Sequence, residues 1–241
     1  MPLYTIWELG YQFSISEEVI MIKDNIKHIL AELPEGVQLV GAAKTRSPEE
    51  VLEAVEGGLR IIGHNYVQEA ERLFDVISRP VKWHMIGHLQ SNKAKKAVAI
   101  FDMIETVDSL KLAKAIDKAC EGLNKTMSIL LEINSGEEDQ KAGVMPEAAV
   151  PLLKEISALF HVKVEGLMTM GPFTDDPEES RPYFRKTKRL FDEISTLNLE
   201  KVKMSILSMG MSDSYKVAIE EGANMVRIGT KIFGNRSYGA S

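Results

Sequence analysis

Eight short apolar runs recur along this chain, at 37–43, 59–63, 81–86, 102–106, 127–134, 162–168, 202–208 and 224–228. Amphipathic stretches near 48–57, 65–77, 91–99, 109–120, 147–159, 181–196 and 213–221 separate them, and another over about 16–32 precedes the first run. Several runs, such as Met127-Ser128-Ile129-Leu130-Leu131-Glu132-Ile133, are too continuously apolar for a sheet wetted on one face. Near-continuous apolar strands alternating with helices specify a parallel sheet covered on both sides. Eight such repeats predict an α/β protein with a single (β/α)8 TIM barrel rather than an open sheet. At 241 residues and 44% hydrophobic composition, the chain can fill one barrel-sized core. The expected division is an N-terminal extension over 1–15 and a barrel domain over 16–241. The early helix then takes the place of an eighth crossover helix.

Helix starts carry their own chemistry. Ser47-Pro48-Glu49-Glu50 combines an N-cap serine, a first-turn proline and a glutamate three residues on, the pattern of a capping box. Asp108 and Ser91 are the expected caps of their helices. Pro151 and Pro182 fall inside helical patterns, so those helices either begin there or bend.

Charge and cysteine content narrow the setting. Net charge is −6, from 29 basic and 35 acidic residues with no long block of one sign, which excludes a nucleic-acid partner. No stretch approaches the roughly 18 apolar residues of a membrane span, so no membrane partner is expected. A single cysteine, Cys120, leaves no disulfide framework and fits a reducing cytoplasm.

Active sites of such barrels lie at the carboxyl ends of the strands. That rule selects Lys44, Asn65, His84, Asn134, Met168, Ser208 and Arg227, with loop neighbours that include His64, His88, Ser212, Gly229 and Thr230. Lys44 closes the first apolar run. At the barrel mouth its amine would act as a nucleophile that forms Schiff bases with carbonyl compounds; the plainer alternative is a lysine that snorkels into solvent. Ser208-Met209-Gly210-Met211-Ser212-Asp213 precedes a helix, and Val226-Arg227-Ile228-Gly229-Thr230 ends the eighth run. Loops after strands seven and eight are the common phosphate site of these barrels, and both supply glycines and hydroxyls. His84 and His88 do not share a helix face, and no carboxylate or cysteine completes a ligand set with His64, so no metal is expected. The basic run Arg185-Lys186-Thr187-Lys188-Arg189 reads as a solvated helix face. An anion grip beside a carbonyl-seeking lysine fits a phosphosugar aldolase or a pyridoxal 5′-phosphate (PLP) site, and composition does not separate them.

Five segments carry a resemblance. Ala43-Lys44-Thr45, Gly63-His64-Asn65-Tyr66-Val67-Gln68-Glu69, His84 through Lys93, Ser208 through Asp213 and Val226 through Gly234 occur in this order. Together, over about 16–238, they resemble the PLP homeostasis protein family, whose fold is similar to the barrel domain of bacterial alanine racemase. The resemblance implies that Lys44 holds PLP as an internal aldimine. It further implies that Ser208, Gly229 and Thr230 hold the phosphate, that Arg227 contacts the pyridine nitrogen, and that Asn65 and Met168 line the cofactor site. Lys141 falls where the family's loop meets a ligand. His64 departs from the family's Gly-Glu-Asn pattern, so no role of that acid carries over.

The resemblance also implies a carrier in vitamin B6 homeostasis rather than an enzyme. Racemisation needs an electron sink and a base on each face of the carbanion. An arginine at the pyridine nitrogen can only donate, which weakens the sink, and the racemase draws its second base from an additional domain not expected here. The expected partners are PLP and, as acceptors, PLP-dependent apoenzymes, with the protein a monomer. A PLP-dependent amino-acid racemase is the alternative reading.

Overall fold

Every apolar run becomes a strand. The computed structural model describes residues 21–138, 142–172 and 174–234. β1 (Gln38–Ala42), β2 (Ile61–His64), β3 (Lys82–Met85), β4 (Met103–Val107), β5 (Met127–Glu132), β6 (Val162–Met168), β7 (Val202–Ser208) and β8 (Met225–Ile228) pair in parallel. The ring closes where Val40 of β1 registers with Arg227 of β8. The expected (β/α)8 barrel is therefore the observed one.

Alternation along the strands sorts side chains into two cores. Outward residues such as Leu39, Ile62, Trp83, Ile104, Ile129, Leu131, Val164 and Leu207 meet buried faces of the surrounding helices. Inside the ring, Val40, Ile61, Ile86 and Met225 form one cluster and Met103, Leu130 and Met168 another, with Ile206 against both. Each full burial of such a side chain is worth about 1.5–3 kcal/mol, so the lower barrel is a packed interior and not a channel.

The helices are α1 (Ile22–Glu32), α2 (Pro48–Gly57), α3 (Val67–Phe74), α4 (Ala94–Ile100), α5 (Leu110–Glu121), α6 (Pro146–Ser157), α7 (Arg181–Ser195), α8 (Tyr215–Glu220) and the short α9 (Thr230–Phe233). α1 joins the two ends of the barrel. Its Lys23 amide donates to Glu53 of α2, and Asn25 Nδ2 donates to the Ile232 carbonyl of α9 at 3.0 Å. It thus occupies the eighth crossover position, while residues 1–20, including the expected extension, lie outside the described residues. Ser47 and Glu50 form the expected capping box at α2.

Two expected caps are corrected. Ser109, one residue past Asp108, accepts from the Leu112 amide and caps α5. Ser91 opens a 3-10 turn, Ser91–Lys93, that leads into α4. Pro182 sits in the first turn of α7, whereas Pro151 lies inside α6, which continues through it. The predicted helix at 65–77 starts late because Tyr66 is extended. Arg181 and Arg185 pair with Glu178, Glu220 and Glu221, as a solvated charged face would. Among the described residues no helix is long and apolar enough to cross a membrane.

β7 and β8 meet unusually. Their register is shared only at Ser208 and Met225. The Asn224 side chain bridges the gap, accepting from the Leu207 amide and donating to the Ser205 carbonyl.

Candidate functional site

Lys44 follows β1 and borders a cavity of about 330 Å³ at the carboxyl end of the ring. Ala42, Arg46, Asn65, Ile86, Met170, Met211, Ser212, Asp213, Arg227, Gly229 and Thr230 complete its wall. That volume falls within the roughly 300–1,000 Å³ of small-molecule sites. The lysine is half-buried, with Nζ 5.3 Å from the centroid of the Tyr66 ring, a cation–π distance. Thr45, next in the chain, has φ +65°, and its amide donates to Glu69 at 3.4 Å. The α2 capping box begins two residues later, so the turn that aims Lys44 is braced on its far side.

The loops after β7 and β8 supply the wall next to Lys44, since β8 pairs directly with β1. Gly210 has φ +91°, and a Cβ there would lie 2.6 Å from the Ala218 Cβ, so this turn requires glycine. Ser212 Oγ accepts from the Gly229 amide at 3.3 Å and the Lys231 amide at 3.5 Å, which ties the two loops together. The helix behind, α8, has Ser214 as its N-cap residue, whose Oγ accepts from the Met211 amide. Ser212 is therefore a loop brace and not a helix cap.

Arg227 reaches up from β8 through the barrel and is 3% exposed. Its Nη1 donates to Ser208 Oγ at 2.7 Å and its Nη2 to the Thr169 carbonyl at 2.9 Å. Ser208 Oγ in turn donates to Glu105 Oε2 at 2.7 Å, and Glu105 Oε1 lies 2.7 Å from His84 Nδ1. Burial alone would raise the Glu105 carboxyl. The His84 ring, the Arg227 charge and the Ser208 hydroxyl outweigh it and hold the group below the usual carboxylate range. Burial likewise lowers Arg227 from the ordinary guanidinium range, against the pull of Glu105 and Glu132.

A second chamber of about 250 Å³ adjoins the first and shares Asn65, Ile86 and Met170 with it. Its wall includes His88, Thr106, Glu132, Asn134, Ser135, Glu138, Thr169 and Tyr183. Gly87 lets this wall close up, because a Cβ there would lie 2.5 Å from the Asn65 carbonyl oxygen. Ser135 Oγ and Thr169 Oγ1 are 2.8 Å apart, and Thr169 Oγ1 also donates to the Ile133 carbonyl. Glu132 differs from every other acid in the barrel. It is 5% exposed, and its Oε2 has no hydrogen-bond partner among the described residues. Burial, and then the nearby Asp108 carboxylate, push it up to about 7 against the pull of Arg227.

The structure thus brings Lys44, Asn65, Arg227, Gly229 and Thr230 to one cavity. Two expected lining residues are not there. Ser208 is fully buried one layer down, its hydroxyl engaged by Arg227 and Glu105, so it does not border the cavity. Met168 packs against Met103 and Leu130 inside the ring, and Met170, two residues on along the same face, lines the wall instead. His64 points outward, stacked on Trp83 at 5.7 Å, and borders neither cavity. The residue that departs from the family pattern is therefore turned away from the site. Lys141 lies outside the described residues. Among those residues no group of His, Cys, Asp and Glu could hold a metal.

Glu105, Glu132, Arg46 and Met170 escaped the strand-end rule. The two acids had a signal of their own, since each interrupts an otherwise apolar run.

Comparison with known proteins bears on the whole chain. A family model described as the alanine racemase N-terminal domain matches residues 20–237. A pyridoxal phosphate homeostasis protein of Aquifex aeolicus is 42% identical over 83% of this chain and 88% of its own length. One of Pasteurella multocida is 36% identical over 93% and 99%. Among solved structures, PipY of Synechococcus elongatus PCC7942, described with PLP bound, is 32% identical with a TM-score of 0.82, covering 88% of this chain and all of that one. Alanine racemase of Clostridium difficile 630 shares the fold alone, at 18% identity and a TM-score of 0.78 over 92% of this chain and 58% of its own.

Proposed function

Because this chain belongs to the pyridoxal phosphate homeostasis protein family, we propose that it binds PLP in the Lys44 cavity and serves the homeostasis of that cofactor without catalysis. The observation that carries this reading is the meeting of one amine with a donor-rich cradle. Lys44, Arg46 and Arg227 line about 330 Å³ together with Ser212, Gly229 and Thr230, and Asp213 is the one acid of that wall among the described residues. In a chain of net charge −6, such a cationic pocket suits a phosphorylated aldehyde. When bound, PLP supplies an aldehyde that condenses reversibly with primary amines.

The protein's own residues divide the work. Lys44 Nζ is the tether. The Gly229–Thr230 turn, braced by Ser212, receives the phosphate. Asn65 orients the ring, and Arg227 donates toward the pyridine nitrogen. Ser208 and Glu105 act from below, fixing the guanidinium so that it donates and does not release its proton. A proton-holding acid at that nitrogen would favour carbanion chemistry, and a rigid guanidinium does not. The protein holds PLP as a monomer and yields it to PLP-dependent apoenzymes.

Borohydride reduction of the loaded protein should leave the cofactor's mass on the peptide bearing Lys44, and Lys44→Ala should lose that label together with retained PLP. A Lys44→Ala protein that keeps both would sink the assignment. Deuterium exchange at the α-carbon of amino acids separates carrier from racemase. Robust exchange abolished by Lys44→Ala would establish catalysis, and its absence supports the carrier. Native mass spectrometry reads subunit number and transfer of PLP to an apoenzyme in one measurement.

A further inference from the structure

We propose that the Glu132 chamber is a binding site for a small primary amine, whose ammonium group is received by the inward-facing Glu132 carboxyl next to the Lys44 cavity. The inference rests on the cofactor reading only for its purpose, since the site itself is built from groups independent of Lys44. Glu132 leaves the last position of β5 and points into the ring. Its Oε2 is buried without a partner, in a fold where Glu105 one strand away is bonded at both oxygens. An unpaired buried carboxyl oxygen is costly and signals a missing donor.

The surroundings specify which donor. Among the described residues, the chamber wall carries carboxyl, hydroxyl and amide groups of Glu132, Glu138, Thr106, Asn134, Ser135 and Thr169 and no lysine or arginine. The adjoining cavity has the opposite character, with Lys44, Arg46 and Arg227. An anion is directed to the second and a cation to the first. About 250 Å³ admits a molecule of amino-acid size, and Asn65, Ile86 and Met170 are common to this wall and to that of the Lys44 cavity. Glu132, poised near neutrality, can take the ammonium proton and leave the amine its electron pair. Among the described residues, the charged or titratable neighbours that face it are Asp108, Arg227, His88, Glu138 and Tyr183.

The test is calorimetric titration of the cofactor-free full-length protein with alanine and ethylamine, and with lactate and ethanol, which carry a hydroxyl in place of the amino group. Both amines should bind and both alcohols should not. Glu132→Gln should weaken amine binding by roughly tenfold to a hundredfold, the loss of one charge-assisted bond. A second readout needs no variant. At pH 6 the wild-type carboxyl is largely protonated, so binding an ammonium ion should release a proton, seen as a heat that varies with the buffer's ionisation enthalpy. Equal binding of the alcohols, unweakened binding by a folded Glu132→Gln protein, or heats independent of buffer would each overturn the proposal. Lys44→Ala should leave amine binding intact, so failure of the tether assignment and failure of this site give different results.

Discussion

Glu105 and Glu132 leave neighbouring strands and both point into the barrel, yet they reach opposite states. Glu105 is bonded by His84 and Ser208 beside Arg227 and stays ionised. Glu132, pushed up to about 7 by burial and then by the Asp108 carboxylate, has the same guanidinium near it but an unpartnered oxygen among the described residues. Burial is common to both, so hydrogen-bond supply decides the outcome. Paired titratable groups driven apart by their environments mark working sites in proteins. Here the satisfied acid serves to fix Arg227, and the unsatisfied one faces a chamber with room for a ligand.

The contrast can be broken most severely at the residue common to both. Arg227→Met should destabilise the protein by about 3–5 kcal/mol, because it strands Glu105 without its buried counter-charge. Urea unfolding at pH 7.5 measures this, and a loss under about 1 kcal/mol would show that the network is not held by charge.

Next in size is Glu132→Gln. A carboxyl raised from 4.5 to about 7 binds a proton in the folded state that the unfolded state has lost. Its contribution is complete below pH 4.5 and disappears as pH rises through 7, a swing of about 3 kcal/mol. The variant should therefore gain on wild type by up to that amount at pH 8 and gain little at pH 5. Equal differences at both values would place an ordinary surface-like acid at this position.

His64 supplies a control of opposite sign outside both cavities. Its ring is buried with neither nitrogen bonded and is lowered to about 4 by desolvation. The stability it permits is intact above pH 6.5 and falls as pH drops toward 4, by roughly 2–3 kcal/mol. His64→Leu should flatten that acid limb in thermal melts taken across the range. The smallest effect belongs to the brace beside Lys44. Ser47→Ala should cost about 1 kcal/mol in chemical unfolding, and a neutral result would mean the capping box is redundant there.

Much of this was legible in the residues. The eight apolar runs located the strands because both faces of a parallel barrel exclude water, and that condition writes itself along the chain. Lys44, Asn65, Arg227, Gly229 and Thr230 followed from the rule that chemistry gathers at strand ends. What failed was depth. Ser208 and Met168 sit at strand ends too, but one layer lower, and sequence position does not reveal the layer a staggered barrel assigns to each strand. His64 shows the complementary limit, since a one-residue step along a strand carries a side chain from the interior to the helix layer. Glu132 was present in the sequence as an acid in a greasy run, and only its missing partner, visible in three dimensions, turned it from an oddity into a candidate ligand group.

The join between β7 and β8 makes the pairing around the ring uneven. β5 and β6 pair at six positions from Met127–Val162 to Glu132–Met168, across one bulge, whereas β7 and β8 share register only at Ser208–Met225, with the side chain of Asn224 beside it. The two loops of the proposed phosphate cradle spring from the sparsely paired side, and the wall bearing Glu132 belongs to the densely paired one. The fewest ladder pairs thus fall where a tethered cargo would be gripped.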